Sequence, residues 1–248
     1  MCEMEKSTRN TLQQMFWYFI IFSIIGLLLE TLYCYATMGI IESRKGLIWG
    51  PFCPVYGIGA IVFLVALQHY KGGNVKLFFY GVLIGSIAEY VMSYMLEAVY
   101  GSRFWQYVEN DINGRICLTY SVFWGLLAIL LIRVIKPIVD KWITKITAKI
   151  IKPVEIGLAI FLVVDCLCTV WAIITYNNRV IHQYHGEAIR ENVENANGLQ
   201  KACFWIEDTL FSNDIMRRTF PNLRLMDYDG KEYFVRDILQ KIEERETT

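Results

Sequence analysis

The sequence is poor in charge. Only 19% of its 248 residues are Asp, Glu, Lys or Arg, and the 24 bases and 24 acids cancel. Zero net charge leaves no basic footprint of the kind a nucleic-acid-binding chain carries, so no nucleic-acid partner is expected. Histidine occurs three times, and the seven cysteines never form a C-x-x-C pair. A structural zinc site is therefore not expected. Cys166 and Cys168 are two apart and on a helix would point to nearly opposite faces. His182 and His185 have a spacing that could grip a metal, but no third ligand accompanies them, and solvated side chains are the simpler reading. Gly230-Lys231 is followed by Glu232 and lacks the upstream glycine of a P-loop. No Ser-His-Asp or Cys-His grouping is visible. The sequence thus implies no cofactor and no metal, and its balance is against an enzyme.

What the chain has in quantity is apolar surface. Hydrophobic residues make up 55% of it, and mean hydropathy is +0.35. Those values suit a membrane protein with a polar appendage. Fifteen tyrosines and seven tryptophans suit interfacial aromatic belts. Five runs, 15–38, 51–69, 77–100, 117–136 and 155–176, approach the roughly 20 residues that cross a bilayer. The first run is too long for a signal-peptide core and has no small-residue cleavage site, so it reads as a retained span. The second is the weakest, because Pro51, Pro54, Gly57 and Gly59 break its start.

The expected organisation is all-α: a polytopic membrane helix bundle of about five transmembrane helices, with a polar C-terminal tail. Residues 1–14 are a polar N-terminus. Residues 15–136 are a four-helix membrane core, 155–176 a fifth span and 177–248 the tail. Between Pro137 and Pro153, Ile138, Trp142, Ile146 and Ile150 recur every four residues, and so do Lys141, Lys145 and Lys149. That pattern predicts an amphipathic helix over 137–153, lying on the inner leaflet or docking on a cytoplasmic partner. In the tail, Leu199, Cys203, Ile206 and Leu210 have helical spacing. Phe220-Pro-Asn and Asp227 to Gly230 read as turns, and 236–246 as a short charged helix.

Orientation follows from the bases. Lys6, Arg9, Lys71, Lys76 and six more from Arg133 to Lys152 fall on the N-terminal side. Arg44, Lys45, Arg103, Arg115, Arg179 and Arg190 fall on the other. Ten against six places the N-terminus in the cytoplasm of a cell membrane, and the two arginine-bearing loops outside.

Those loops carry an internal repeat. Gly26, Glu30, Tyr35 and Ser43-Arg44 match Gly85, Glu89, Tyr94 and Ser102-Arg103 at an offset of 59 residues. After a five-residue insertion, Gly50, Cys53 and Tyr56 match Gly114, Cys117 and Tyr120 at an offset of 64. Two tandem two-helix units, about 15–70 and 77–136, would then be related by a pseudo-twofold axis along the membrane normal. Chance similarity between apolar segments is the competing reading. The repeat places chemistry symmetrically. Glu30 and Glu89 lie inside their spans, where an ionised carboxylate is costly and commonly functional. Glu97 can share a helical stripe with Glu89, and Asp165 is a further acid without a repeat partner. Structural hydrogen bonding at helix breaks is the alternative for these acids. Arg44 and Arg103 are too far along their helices to reach Glu30 and Glu89, though Arg103 is closer to Glu97. The candidate binding residues are Glu30, Glu89, Glu97, Arg44, Arg103, Arg115, Tyr56 and Tyr120. Cys53 and Cys117 are a candidate pair, as a disulfide or as small buried packing residues.

Several segments carry a family resemblance. They are Gly26 to Glu30, Glu42-Ser-Arg-Lys-Gly-Leu-Ile-Trp-Gly-Pro-Phe-Cys-Pro-Val-Tyr-Gly57, Glu89 to Glu97, Arg103-Phe-Trp-Gln-Tyr107, and Asn113-Gly-Arg-Ile-Cys117 with Ser121 and Trp124-Gly125. Through them, about residues 15–140 resemble a group of bacterial multi-pass proteins, the ABC-transporter type IV permease family of CmpB type. The resemblance implies a permease-like transport subunit in a lipid bilayer. It also implies a separate ATPase subunit, since this chain has no nucleotide motif, and the 137–153 helix is then a candidate docking surface. A second copy of the chain is a further partner left open. The resemblance carries over no catalytic residue. Two other roles compete with transport. One is a membrane-embedded enzyme or accessory subunit using Glu42, Arg44, Tyr56, Arg103, Tyr107 and Arg115. The other is a scaffold or sensor acting through the tail.

Overall fold

A computed structural model describes residues 2–187, 196–226 and 231–246. The predicted turn at 227–230 and Arg190 fall outside them. Four helical stretches are long and apolar enough to cross a membrane: Thr11–Met38, Asn74–Tyr100, Leu118–Lys149 and Lys152–His185. The first belongs to α1 (Cys2–Met38), whose backbone is helical well before the apolar run begins. The second is α3 (Asn74–Tyr100). The all-α bundle holds.

The second apolar run folds as the short α2 (Pro54–Leu67, 14 residues). At 1.5 Å per residue this helix covers about 21 Å, less than a hydrocarbon core of roughly 30 Å. The broken stretch before it makes up the depth. Leu47, Ile48, Phe52 and Cys53 are buried, and the Cys53 amide donates to the Ser23 carbonyl of α1 at 3.1 Å. The loop 39–53 therefore dips into the bundle, where protein groups satisfy its backbone.

The boundary expected at residue 137 is not a break. α4 (Leu118–Leu130) continues through a π turn (Leu131–Ile135) into α5 (Lys136–Lys149). Proline lacks an N–H and its ring crowds the carbonyl four residues back. Here the π turn shifts the bonding by one residue, with the Lys136 amide donating to the Leu131 carbonyl, and the helix passes Pro137 intact. The true break comes at Ile150 and Ile151, before Pro153 in the first turn of α6 (Lys152–His185). α6 has 34 residues, about 51 Å. It therefore outruns the bilayer core and carries its last turns beyond it.

Two helix hairpins pack tightly. α1 lies on α2, and α3 on α4. The α3 contact face reads Leu77, Gly81, Gly85, Glu89, Ser93, one buried residue every turn. Its small members let α4 approach, as membrane helix interfaces require. A Cβ on Gly81 would meet the Ala128 Cβ at 2.5 Å, and one on Gly85 would meet the Trp124 Cβ at 2.4 Å. In the first hairpin a Cβ on Gly26 would meet Tyr56 at 2.2 Å.

The C-terminal region is more folded than its polarity suggests. α7 (Gly198–Leu210) and α9 (Val235–Glu246) match the expected helices, and Pro221 and Asn222 form the expected turn. The short α8 (Asn213–Thr219) and a hairpin lie between them. Strand β1 (Ser102–Arg103) of the α3–α4 loop pairs antiparallel with β4 (Arg224–Met226), which pairs with β5 (Glu232–Phe234). A second, two-stranded ladder joins β2 (Asp111–Ile112) to β3 (Ile116–Cys117) within the loop. Phe211, Met216, Leu223, Leu225 and Ile238 form a second core against Ala172, Ile173, Tyr176 and Val180 of α6. The region is a cap seated on the protruding end of α6 and on both polar loops.

Candidate functional site

Both loops prepare the start of the following helix in the same way. Gly50 and Gly114 each take a left-handed backbone, φ +72° and +69°, a conformation glycine adopts without a Cβ penalty. Three residues on, Cys53 and Cys117 are the extended N-cap residues of α2 and α4. Both thiols are free and buried. Three residues further, Tyr56 and Tyr120 stand on the first turns of the two helices.

Tyr56 lies within electrostatic reach of Glu30, which is half-buried on α1. Glu89, on the buried face of α3, accepts from two neutral donors. Its Oε1 takes the Tyr107 hydroxyl at 2.6 Å and its Oε2 takes the Trp124 indole N–H at 2.8 Å. Among the described residues no base pairs with it. Tyr107 stacks on Tyr120, ring centroids 4.8 Å apart, and Tyr120 lies close to Tyr33 of α1. Burial and the bond to Glu89 push the Tyr107 hydroxyl far above the ordinary tyrosine range, so it stays a donor. Glu30, Tyr56, Tyr120, Tyr107, Glu89 and Trp124 thus form one cluster bridging the two hairpins.

The arginines lie in a second cluster toward the cap. Arg115 is buried, 8% exposed. It donates to Ser93 at 3.2 Å and Glu97 at 2.6 Å, and lies over the rings of Tyr90 and Tyr94. Arg103, in β1 just past the end of α3, pairs with Glu97 at 2.9 Å and with Glu232 of β5 at 2.8 Å. Arg44 donates to the Cys34 sulfur at 2.9 Å and stands 3.7 Å from Glu42. Glu42 in turn accepts from Asn222 of the cap at 3.0 Å. These charges are neutralised by one another, which favours a structural role for them over acid–base chemistry.

Asp165 on α6 is fully buried. Its Oδ1 accepts the Trp49 amide at 3.2 Å, while the neighbouring Thr169 hydroxyl accepts the Ile48 amide at 3.1 Å. The acid therefore clamps the dipping loop. His182 contacts Glu187 at 2.8 Å, and no group of three metal-ligating residues occurs among the described residues.

Residues 17–170 match the family described as "putative ABC-transporter type IV", of CmpB type. The chain belongs to that family. The match takes in both hairpins, both polar loops and most of α6, and ends before the cap. With its four long apolar helices, this member of the CmpB-type family is a multi-pass membrane protein. No curated protein and no solved structure matches the chain.

Among the cluster residues outside the sequence-derived binding candidates, Tyr107 is named in the sequence only for the competing enzyme reading and Trp124 only as a motif residue. Glu232 gives no sequence signal, because its role depends on the cap folding back.

Proposed function

We propose that this chain is the membrane-embedded, permease-like subunit of a transport system, with its ligand site between the two hairpins at Glu30 and Glu89. The observation that carries this reading is the environment of Glu89. Its buried carboxylate is held by an indole and a phenol and has no base beside it among the described residues. A desolvated carboxylate without a counter-ion gains most from a proton or a small cation, and aromatic faces alongside suit an ammonium. The ligand class is therefore cationic. Glu97, Arg44, Arg103 and Arg115 form the neighbouring, mutually neutralised cluster on its cap side, and Tyr56 and Tyr120 stand at the centre of the site itself. The matching glycine, cysteine and tyrosine positions support two tandem two-helix units of 15–70 and 77–136, differing in their loops. The reading requires a separate ATPase subunit as energy source, and the excess of bases on the N-terminal side supports a cytoplasmic N-terminus in the cell membrane.

The test is cation binding to purified protein, with sodium, potassium and tetramethylammonium as probes and thermal stabilisation as readout. Glu89→Gln and Glu30→Gln are expected to abolish stabilisation by the effective cation with the fold intact by circular dichroism. Unchanged stabilisation in both variants overturns the assignment.

A second reading, a sensor or scaffold working through the cap, is favoured by the Arg103–Glu232 and Glu42–Asn222 contacts. It predicts that Asn222→Ala with Glu232→Ala changes partner binding while cation binding is untouched.

A further inference from the structure

The end of the bundle opposite the cap has a lopsided charge distribution. Contacts of Gln13 and Trp17 with Glu155, of Tyr18 with Asp140 and of Arg133 with Gly72 bring residues 13–18, 72–74 and 133–155 together there. Residues 71–76 hold two bases and residues 133–152 six, against two acids, Asp140 and Glu155. Both acids are engaged. Asp140 accepts from Tyr18 and pairs with Lys136 at 2.6 Å. Glu155 accepts from Gln13 at 2.6 Å and Trp17 at 2.7 Å. Lys141, Lys145 and Lys149 are exposed in one row along α5, and no acid pairs with them among the described residues.

Two further observations fix what this row meets. α5 is not a detached surface helix. It continues the spanning α4, and its Val139 and Ile143 are buried in the main core, so the lysines are held rigidly where the span leaves the apolar zone. Beside them Ile138 and Trp142 stay 47% and 48% exposed. An indole beside a lysine row at the end of a span suits the headgroup level of a bilayer.

We propose that Lys141, Lys145 and Lys149 form a docking row for anionic phospholipid headgroups, with Trp142 and Ile138 seated in the adjoining acyl boundary. The row is a binding site for the phosphodiesters of the leaflet at the N-terminal end. Flexible ammonium groups suit such ligands as point charges, and each lysine near an anionic surface adds about fivefold to the attraction. The proposal is independent of the ligand assigned to Glu89.

The test compares lipid selection by the full chain reconstituted in phosphatidylcholine vesicles, using spin-labelled phosphatidylglycerol and spin-labelled phosphatidylcholine as probes. The natural sequence is expected to enrich phosphatidylglycerol at the protein surface at low salt, with the enrichment falling at high salt. The triple variant Lys141→Gln, Lys145→Gln, Lys149→Gln is expected to lose most of it. A control, Lys201→Gln in the cap, is expected to keep it. Trp142→Ala is expected to weaken retention of both lipids without removing the preference. Equal enrichment in the triple variant and the natural sequence overturns the proposal. So does a triple variant that keeps its lipid selection but loses binding to an ATPase subunit, since the row is then a protein-docking surface.

Discussion

Arg103 and Glu232 form an ion pair of 2.8 Å between the α3–α4 loop and the cap. The same arginine reaches Glu97 at the end of α3, so one guanidinium joins the membrane helix to the C-terminal hairpin. The side chains are 17–18% exposed, and screening is correspondingly limited. Arg103→Ala leaves Glu232 without this ion partner, while Glu97 keeps Arg115, and a charged hydrogen bond lost in this way costs about 1.5–3 kcal/mol. The variant is expected to unfold at lower denaturant, with the cap separating first by limited proteolysis. In a double-mutant cycle with Glu232→Gln, the two effects are expected to be non-additive. Full additivity would show that the pair does not couple loop and cap.

Gly26 is expected to tolerate no larger residue. Its Cβ position lies 2.2 Å from the Tyr56 ring carbon, and overpacking of this kind costs about 1–3 kcal/mol. Gly26→Ala also displaces the tyrosine that lies beside Glu30. Gly59, on the open side of α2, has nothing within 4 Å of such a Cβ. Gly59→Ala is therefore expected to be neutral or to stabilise by up to about 1 kcal/mol. Thermal midpoints of the two variants should move in opposite directions, or only the first should move.

The contrast between these glycines shows what was legible beforehand. The repeat spacing picked out Gly26, Glu30, Gly85 and Glu89 as a set, because a small residue one turn from an acid is a local pattern. The long spans were visible in apolar runs. The short α2 was foreshadowed by its prolines, but the dip of residues 47–53 was not, since it depends on acceptors at Ser23, Asp165 and Thr169 far off in sequence. The helix through Pro137 was missed because the sequence shows the proline and not the π turn that accommodates it. The cap was read as a tail because Phe211, Met216, Leu223 and Leu225 are spread among polar residues and find their core on α6.

Asp165 is expected to control that dipping loop. It accepts the Trp49 amide, and Thr169 beside it accepts the Ile48 amide. Asp165→Ala removes a buried acceptor and leaves an amide unpaired, at about 1–3 kcal/mol. Asp165→Asn keeps an acceptor and is expected to be milder. The readout is maleimide labelling of Cys53. Buried, Cys53 should resist labelling at pH 7 in the natural sequence. It should become reactive in Asp165→Ala. Equal resistance in both would show that the loop is held elsewhere.

Tyr107 and Trp124 offer the finest probe of the Glu89 site. Each gives the carboxylate one hydrogen bond, at 2.6 and 2.8 Å, but their anchoring differs. Tyr107 sits in a loop, its amide bonded to the Gly114 carbonyl and its ring stacked on Tyr120. Trp124 is wedged on α4 against Gly85, where no side chain fits. Tyr107→Phe keeps the ring stack and removes only the donor, so the loss is about one hydrogen bond to a charged group, 1.5–3 kcal/mol. Trp124→Phe removes its donor and also opens space against Gly85, so it should lower the thermal midpoint further. If Glu89 binds a cation, Tyr107→Phe has a second effect. With one donor fewer the carboxylate is less satisfied in the empty protein, and cation binding should tighten relative to the natural sequence even as overall stability falls. A purely structural Glu89 would show the stability loss alone, and titration of the variant with the same cations distinguishes the two.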